Sequence, residues 1–242
     1  MDKIVMKNRL FFNRYIVFFV MLLSLTLLSA CSDPEVEHRK AFIDYLENTV
    51  MRAGNTLPQL SEDQKNKIGN YANDYLVLKN FSEGFNQTIQ TSFNPMIEHL
   101  GSIKAPEDYA TAQPLLSDDL AKIFFLKSDI EKLKNKADQS IKDAVYPSDL
   151  KVVYEAAYKK IIEDRANPVL LQVDSIIDLT REVNSLGNYL IAYKDSVNYI
   201  EGKPNFKTAE QAEGYNQLIN LIASKIKVHE EAIALYNQLN QQ

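Results

Sequence analysis

From Asp33 onward, apolar residues return every three to four positions, the spacing of a helix with one buried face. Asp33-Pro34 supplies an N-cap and a first-turn proline for a helix carrying Phe42, Leu46 and Val50, with Gly54 past its end. Ser61 and Gln64 form a capping box. A long second stripe follows through Ile68, Tyr71, Tyr75, Leu78, Phe85, Ile89, Phe93, Ile97 and Leu100, which Pro95 should kink or divide. Ala105-Pro106 and Gln113-Pro114 punctuate the next connection. A third helix then shows Leu116, Leu120, Ile123, Ile130, Leu133, Ala137 and Ile141, with Lys122, Lys132, Lys136 and Lys142 mostly off that stripe.

Tyr146-Pro147 ends that run, and Ser148 can cap a shorter fourth helix with Leu150, Val153, Tyr154, Ala157, Tyr158 and Ile161. Asn167-Pro168 repeats the cap-plus-proline start for a fifth helix bearing Leu171, Ile176, Ile177, Thr180, Val183, Leu190 and Ile191. One stretch breaks the pattern: Val197-Asn198-Tyr199-Ile200 is β-prone, Glu201-Gly202-Lys203-Pro204 is turn-like, and Phe206 follows, which predicts a small hairpin near 197–206. Thr208 and Gln211 cap a last helix with Tyr215, Leu218, Ile222, Ile226, Ile233, Tyr236 and Leu239. Without a βα alternation, about six helices predict an all-α, elongated bundle in one domain.

The first 31 residues follow a different rule. Lys3, Lys7, Arg9 and Arg14 lead into an apolar run from Tyr15 to Leu28, the charged and hydrophobic regions of a secretory signal. It closes on Leu28-Ser29-Ala30-Cys31, which fits a bacterial lipobox: small residues before the scissile bond, then a thiol that can take diacylglycerol as a thioether. The competing reading is an uncleaved spanning helix, which needs about 20 apolar residues, more than this run supplies. Met6 can serve as the start as well as Met1, with the same mature end. The expectation is a signal over 1–30 and a helical envelope domain over 31–242, held at a membrane by lipid on Cys31. Ser32 follows the cysteine where the enterobacterial sorting rule places Asp for inner-membrane retention, which favours the outer membrane, with the domain in the periplasm.

Cleavage changes the electrostatics. The chain carries −5, and residues 1–30 hold four basic residues and one acidic residue, so the 212 residues that remain carry −8. An acidic domain is a poor nucleic-acid or anionic-lipid binder. Cys31 is the only cysteine, so no internal disulfide forms and stability must come from a core that a chain of this length can build.

The search for chemistry finds fragments. Glu35 and His38 give one Glu-x-x-His, half of a di-iron bundle's set, but Met96 and Ile226 stand three residues before His99 and His229. Asp118-Asp119, Glu163-Asp164 and Glu230-Glu231 are adjacent on helices and point about 100° apart, which reads as solvated charge. There is no nucleophile elbow, P-loop or dinucleotide fingerprint. No metal or cofactor is expected. Tyrosines spaced by four, Tyr71 with Tyr75, Tyr154 with Tyr158 and Tyr189 with Tyr193, each share a helix face, where they could rim a groove or fill the bundle's seams.

The run from Arg39 to Arg52 (Arg-Lys-Ala-Phe-Ile-Asp-Tyr-Leu-Glu-Asn-Thr-Val-Met-Arg), with Leu57-Pro58 and Asp63-Gln64-Lys65 after it, resembles the opening of the YiaF-like enterobacterial lipoproteins. Gln211-Ala212-Glu213-Gly214-Tyr215-Asn216-Gln217-Leu218-Ile219 is similar to their C-terminal stretch. The resemblance implies a lipobox and a helical domain of unknown function, with no catalytic residues to carry over. Three classes of function follow. The leading one is a non-catalytic envelope lipoprotein that binds another envelope protein or aids assembly. The second is an anchored binder of lipid or cell-wall fragments in a tyrosine-rimmed groove, and the third, least supported, is an enzyme.

Overall fold

A computed structural model describes residues 33–142 and 144–239. The chain is mostly helical with one small hairpin, as the periodicity predicts. Helix α1 spans Pro34–Tyr45 and runs into a π turn at Leu46–Val50; the Asp33 carboxylate accepts the Glu35 N–H at 3.0 Å and Pro34 takes the first turn. The capping box forms as expected, with Ser61 and Gln64 exchanging bonds of 2.8 and 3.1 Å at the head of α2 (Glu62–Ile68). Gly69 ends α2 at φ +57°, and a side chain there would run into the His38 imidazole.

Helix α3 (Ala72–Thr88), a π turn (Ile89–Phe93) and α4 (Asn94–Ser102) form one continuous rod. Pro95 does not divide it. A proline ring clashes with the carbonyl four residues back, here Thr91, and that carbonyl lies inside the wider π turn. Helix α5 covers Asp108–Ile123, beginning well before the expected Leu116, with Pro114 inside it. Pro114 is exposed, so water can satisfy the carbonyl it strands, while Ala112 on the opposite side is buried.

After a break at Phe124 and Phe125 comes α6, Leu126–Lys142. Helix α7 (Ser148–Tyr158), a third π turn (Lys159–Glu163) and α8 (Asp164–Ala192) are again continuous. The expected fourth and fifth helices are therefore one rod, and Asn167-Pro168 is not a start. The buried stripe through Ile161, Ile162, Ala166 and Val173 continues across that point without a gap. Strands β1 (Val197–Ile200) and β2 (Lys203–Phe206) pair antiparallel, with Val197 opposite Phe206. Glu201 and Gly202 turn between them at φ +51° and +72°, the double positive φ of a tight hairpin turn. Helix α9 spans Ala209–Leu239. Its capping box is half made: Thr208 Oγ1 accepts the Gln211 N–H at 3.2 Å, but Gln211 Oε1 is buried without a partner.

Cross-links set the directions. Arg39 meets Asp149 at 3.2 Å, the Tyr154 hydroxyl donates to the Asp74 carbonyl at 3.0 Å, and Arg165 donates to Ser82 at 2.9 Å, so α1, α3 and α7 run side by side in one direction. Tyr158 to Asp138, then Lys127 to Asp174 at 2.5 Å, run α6 the opposite way, and Ser117 to Asn184 at 3.3 Å does the same for α5. Tyr189 to the Gln211 carbonyl (2.7 Å), Lys225 to Asp178 (2.9 Å) and Ser175 to His229 (3.0 Å) lay α9 back along α8. The starts of α1, α3 and α7 and the end of α6 thus share one end of the bundle, the near end. A large core fills that half around Phe42, Leu46, Tyr75 and Tyr154, and a smaller one around Leu116, Leu186, Leu190 and Ile222 fills the far half. Among the described residues no helix is long and apolar enough to cross a membrane.

Candidate functional site

The lipobox residues Leu28, Ser29, Ala30 and Cys31, and the sorting position Ser32, lie outside the described residues. What is described begins at Asp33, at the near end. Arg39 bridges Glu35 (3.3 Å) and Asp149 (3.2 Å), and Glu35 also accepts the Tyr71 hydroxyl at 2.5 Å, so the head of α1 is fastened to both α7 and the turn before α3. Tyr71 stacks on Phe42 with ring centres 5.3 Å apart, and burial together with the Glu35 carboxylate pushes its hydroxyl pKa up to about 12.

The six paired tyrosines do not line one groove. Tyr75 is fully buried and donates to the Pro58 carbonyl. Tyr154 and Tyr158 are buried on α7, donating to the Asp74 carbonyl and to Asp138. Tyr189 and Tyr193, 4.7 Å apart, stand at the far end beside the hairpin, where Tyr189 also packs on Phe206. Tyr75, Tyr154 and Tyr158 are turned inward because their helix faces are ones the bundle buries, whereas Tyr193 stays exposed. Tyr154 and Tyr158 do form part of a cleft of about 860 Å³ between the end of α6 and α7, joined by Tyr146, Asp138, Lys142 and Lys151. Tyr146 donates to Asp74 at 2.8 Å and packs 5.1 Å from the Tyr154 ring.

Burial raises the pKa of Tyr146, Tyr154 and Tyr158, so these hydroxyls are neutral donors across the physiological range. Burial also raises Asp74, against the lowering effect of its bond from Tyr146. Such a wall can hydrogen-bond and stack.

The family model described as "Protein of unknown function (DUF3053)" matches residues 19–237. The chain belongs to the DUF3053 family. Its relatives include the "Uncharacterized protein YiaF" of Escherichia coli K12, 32% identical over 198 residues that cover 82% of this chain and 84% of the relative, and the protein of the same name from Shigella flexneri with the same figures. No solved structure matches.

The rest of this DUF3053 domain's polar chemistry sits elsewhere. Glu35 and His38 are not brought together with His99 or His229: Glu35 serves Tyr71 and Arg39, His38 lies against Gly69, and Ser175 meets His229 Nδ1 at 3.0 Å. Asp118 pairs with Lys122 on the surface, but Asp119 does not behave as solvated charge. It is buried at 1% exposure and lies 2.5 Å from His99 Nδ1, tying α4 to α5. The sequence does carry the signal for this, because Ala112, Leu116, Asp119, Ile123, Leu126 and Ile130 recur at three to four residues and all are buried. Ser82 and Lys79, both buried on α3, and the half-buried Arg165 over the Phe85 ring were likewise not singled out by type alone.

Proposed function

We propose that this YiaF-like chain is a non-catalytic envelope lipoprotein, anchored by lipid on Cys31 and facing the periplasm, favouring the outer membrane, where its domain engages another envelope protein. The observation that carries the anchored reading is the spacing at the near end. Helix α1 starts at Pro34 with its Asp33 cap formed, so two residues, spanning at most about 7 Å, would separate an acylated Cys31 from a rigid bundle. Such a tether makes the membrane a fixed neighbour of the fold. The partner reading draws on α9, whose stripe of Tyr215, Leu218 and Ile222 continues into Ile226 and Ile233, exposed at 43% and 36%.

Labelled fatty acid should enter the wild type and not Cys31→Ala; equal labelling of both would end the anchored reading. A photo-cross-linking residue at Ile226 should yield a discrete heavier species in cells, and a ladder no different from one made at an exposed polar site such as Asn216 would count against an interaction role.

A second reading, binding of lipid or cell-wall fragments, is favoured by the cleft beside Tyr146, Tyr154 and Tyr158, whose volume of about 860 Å³ suits a small ligand. Native mass spectrometry of the protein extracted from membranes should then show a bound mass. Only the acylated chain, in several detergents, would argue against it.

A further inference from the structure

Among the described residues, helix α6 differs from every other α-helix in its charge. Lys127, Lys132, Lys134, Lys136 and Lys142 stand against Asp129, Glu131 and Asp138, a net of +2, whereas the other α-helices among the described residues are neutral or acidic. The inner members are used within the fold. Asp138 takes Lys134 and the Tyr158 hydroxyl, and Lys127 reaches Asp174. On the solvent side, away from buried Leu126, Ile130 and Ala137, lie Lys132, which pairs with Asp129 at 3.2 Å, Lys136, and Lys142 at the rim of the cleft beside α7, with Glu131 among them. Lys136 and Lys142 make no ion pair with the described residues.

The head of the same face carries Phe124 and Phe125, 70% and 59% exposed, edge to face at 5.1 Å. Phe125 immediately precedes the helix, its carbonyl accepting the Asp129 N–H at 2.9 Å. Both rings project from the side that α6 turns away from the core. Adjacent phenylalanines left in water at a helix corner gain nothing for the fold, and each can enter an apolar phase at no cost to the core.

We infer that this face of α6, from Phe124 and Phe125 to Lys142, rests on an anionic lipid bilayer. The inference builds on the anchored reading, and the chain outside the described residues supplies the reason for choosing lipid over protein. Residues 1–32 end where α1 begins, at the same end of the bundle as Lys142. The bilayer that holds Cys31 is therefore already beside one end of this face, and the phenylalanines lie about 26 Å further along the helix. Laying the bundle down on α6 brings both into contact with one surface. Phenylalanine rings would sink below the headgroups while lysine stems lie along them with their ammonium groups among the phosphates. In a domain that is acidic overall, the basic face is the one an anionic surface admits.

The chain has no tryptophan, so Phe124→Trp creates a sole reporter on a residue that supports no core packing. The full acylated variant, reconstituted in phosphatidylethanolamine and phosphatidylglycerol vesicles with bromine at a shallow acyl position, should lose about half its emission by contact with lipid. Leu221→Trp on α9 should keep nearly all of its emission. Adding Lys132→Gln, Lys136→Gln and Lys142→Gln to Phe124→Trp should restore most of the light without detaching the protein from vesicles. Flotation with the vesicles but equal emission from the two tryptophans overturns the α6 face and leaves the anchor standing. Quenching of Phe124→Trp in a Cys31→Ala chain that takes up no fatty acid would support the face independently of the anchor. If that chain neither floats nor is quenched, and the Cys31 chain is not quenched either, the face is refuted in both settings.

Discussion

Asp119 carries the most consequence for its size among single residues. A carboxylate at 1% exposure is stable only while paired, and its partner is His99, a half-buried side chain from the neighbouring rod. Removing one member leaves the other uncompensated. His99→Ala should lower unfolding stability by roughly 3 kcal/mol, while His99→Leu with Asp119→Leu should cost far less, since an apolar pair of similar volume replaces a buried polar one. Urea midpoints of the wild type and the two variants decide this, and equal losses for the single and the double would show that packing, not charge, holds the site. Asp119 also marks the limit of reading by residue type. Its carboxylate suggests surface and its position, three after Leu116 and four before Ile123, places it inside; the position won because the bundle can supply a histidine where Asp119 points. Tyr154 and Tyr158 were legible as a pair on one face, but whether that face met solvent or core depended on Asp74 and Asp138, from helices far away in sequence.

Among whole elements, the stripes gave the helices and the β-prone stretch gave the hairpin, while the joints were misread. Pro114 and Pro168 read as boundaries in the sequence, yet α5 and α8 run through both. Helical spacing does not single out the π turns either, because the extra residue only widens a spacing of three to four, within the variation the stripes already show, and the turns at Ile89–Phe93 and Lys159–Glu163 join α3 to α4 and α7 to α8 without a break. The attachment of α9 is the element-scale feature most open to pH. Burial lowers the His229 pKa below its ordinary 6.5, partly opposed by Glu230, so the neutral ring is the form that docks beside Ser175. A depressed folded value means the unfolded chain binds its proton first, so this contribution is complete above pH 6.5 and is lost as pH falls through the folded value. Asp178 works in the same direction at lower pH: the Lys225 ammonium holds its carboxyl below 3.8, and that contribution is lost only below 3.8. Protection factors in α9, which remove the slowing of intrinsic amide exchange at lower pH, should therefore fall between pH 7.5 and 5.5 in the wild type and much less in His229→Gln. The same fall in both would place the pH response elsewhere.

For the molecule as a whole, the two cores are unequal partners on one rod. Twenty-five buried side chains hold the near half together and six hold the far half, yet α8 passes through both. The far half orders α5, the hairpin and α9 with much less apolar burial per residue, and Gly187 lets α5 approach α8 so closely that any side chain there would strike the Tyr109 carbonyl. Stability should then fall off along the rod, with the far half opening on its own before the near half yields. Leu186→Ala, at a fully buried position of the smaller core, removes about 2–5 kcal/mol of local packing. It should raise exchange rates in α9 and the hairpin by orders of magnitude while amides of α1 and α3 stay protected. Leu78→Ala, equally buried in the larger core, should instead expose both halves together, because the far half has too little core to stand without α8 held in place. If Leu186→Ala loosened α1 and α3 as much as α9, the bundle would be a single cooperative unit. The near end would then have no stability advantage over the far end, and there would be no gradient along α8.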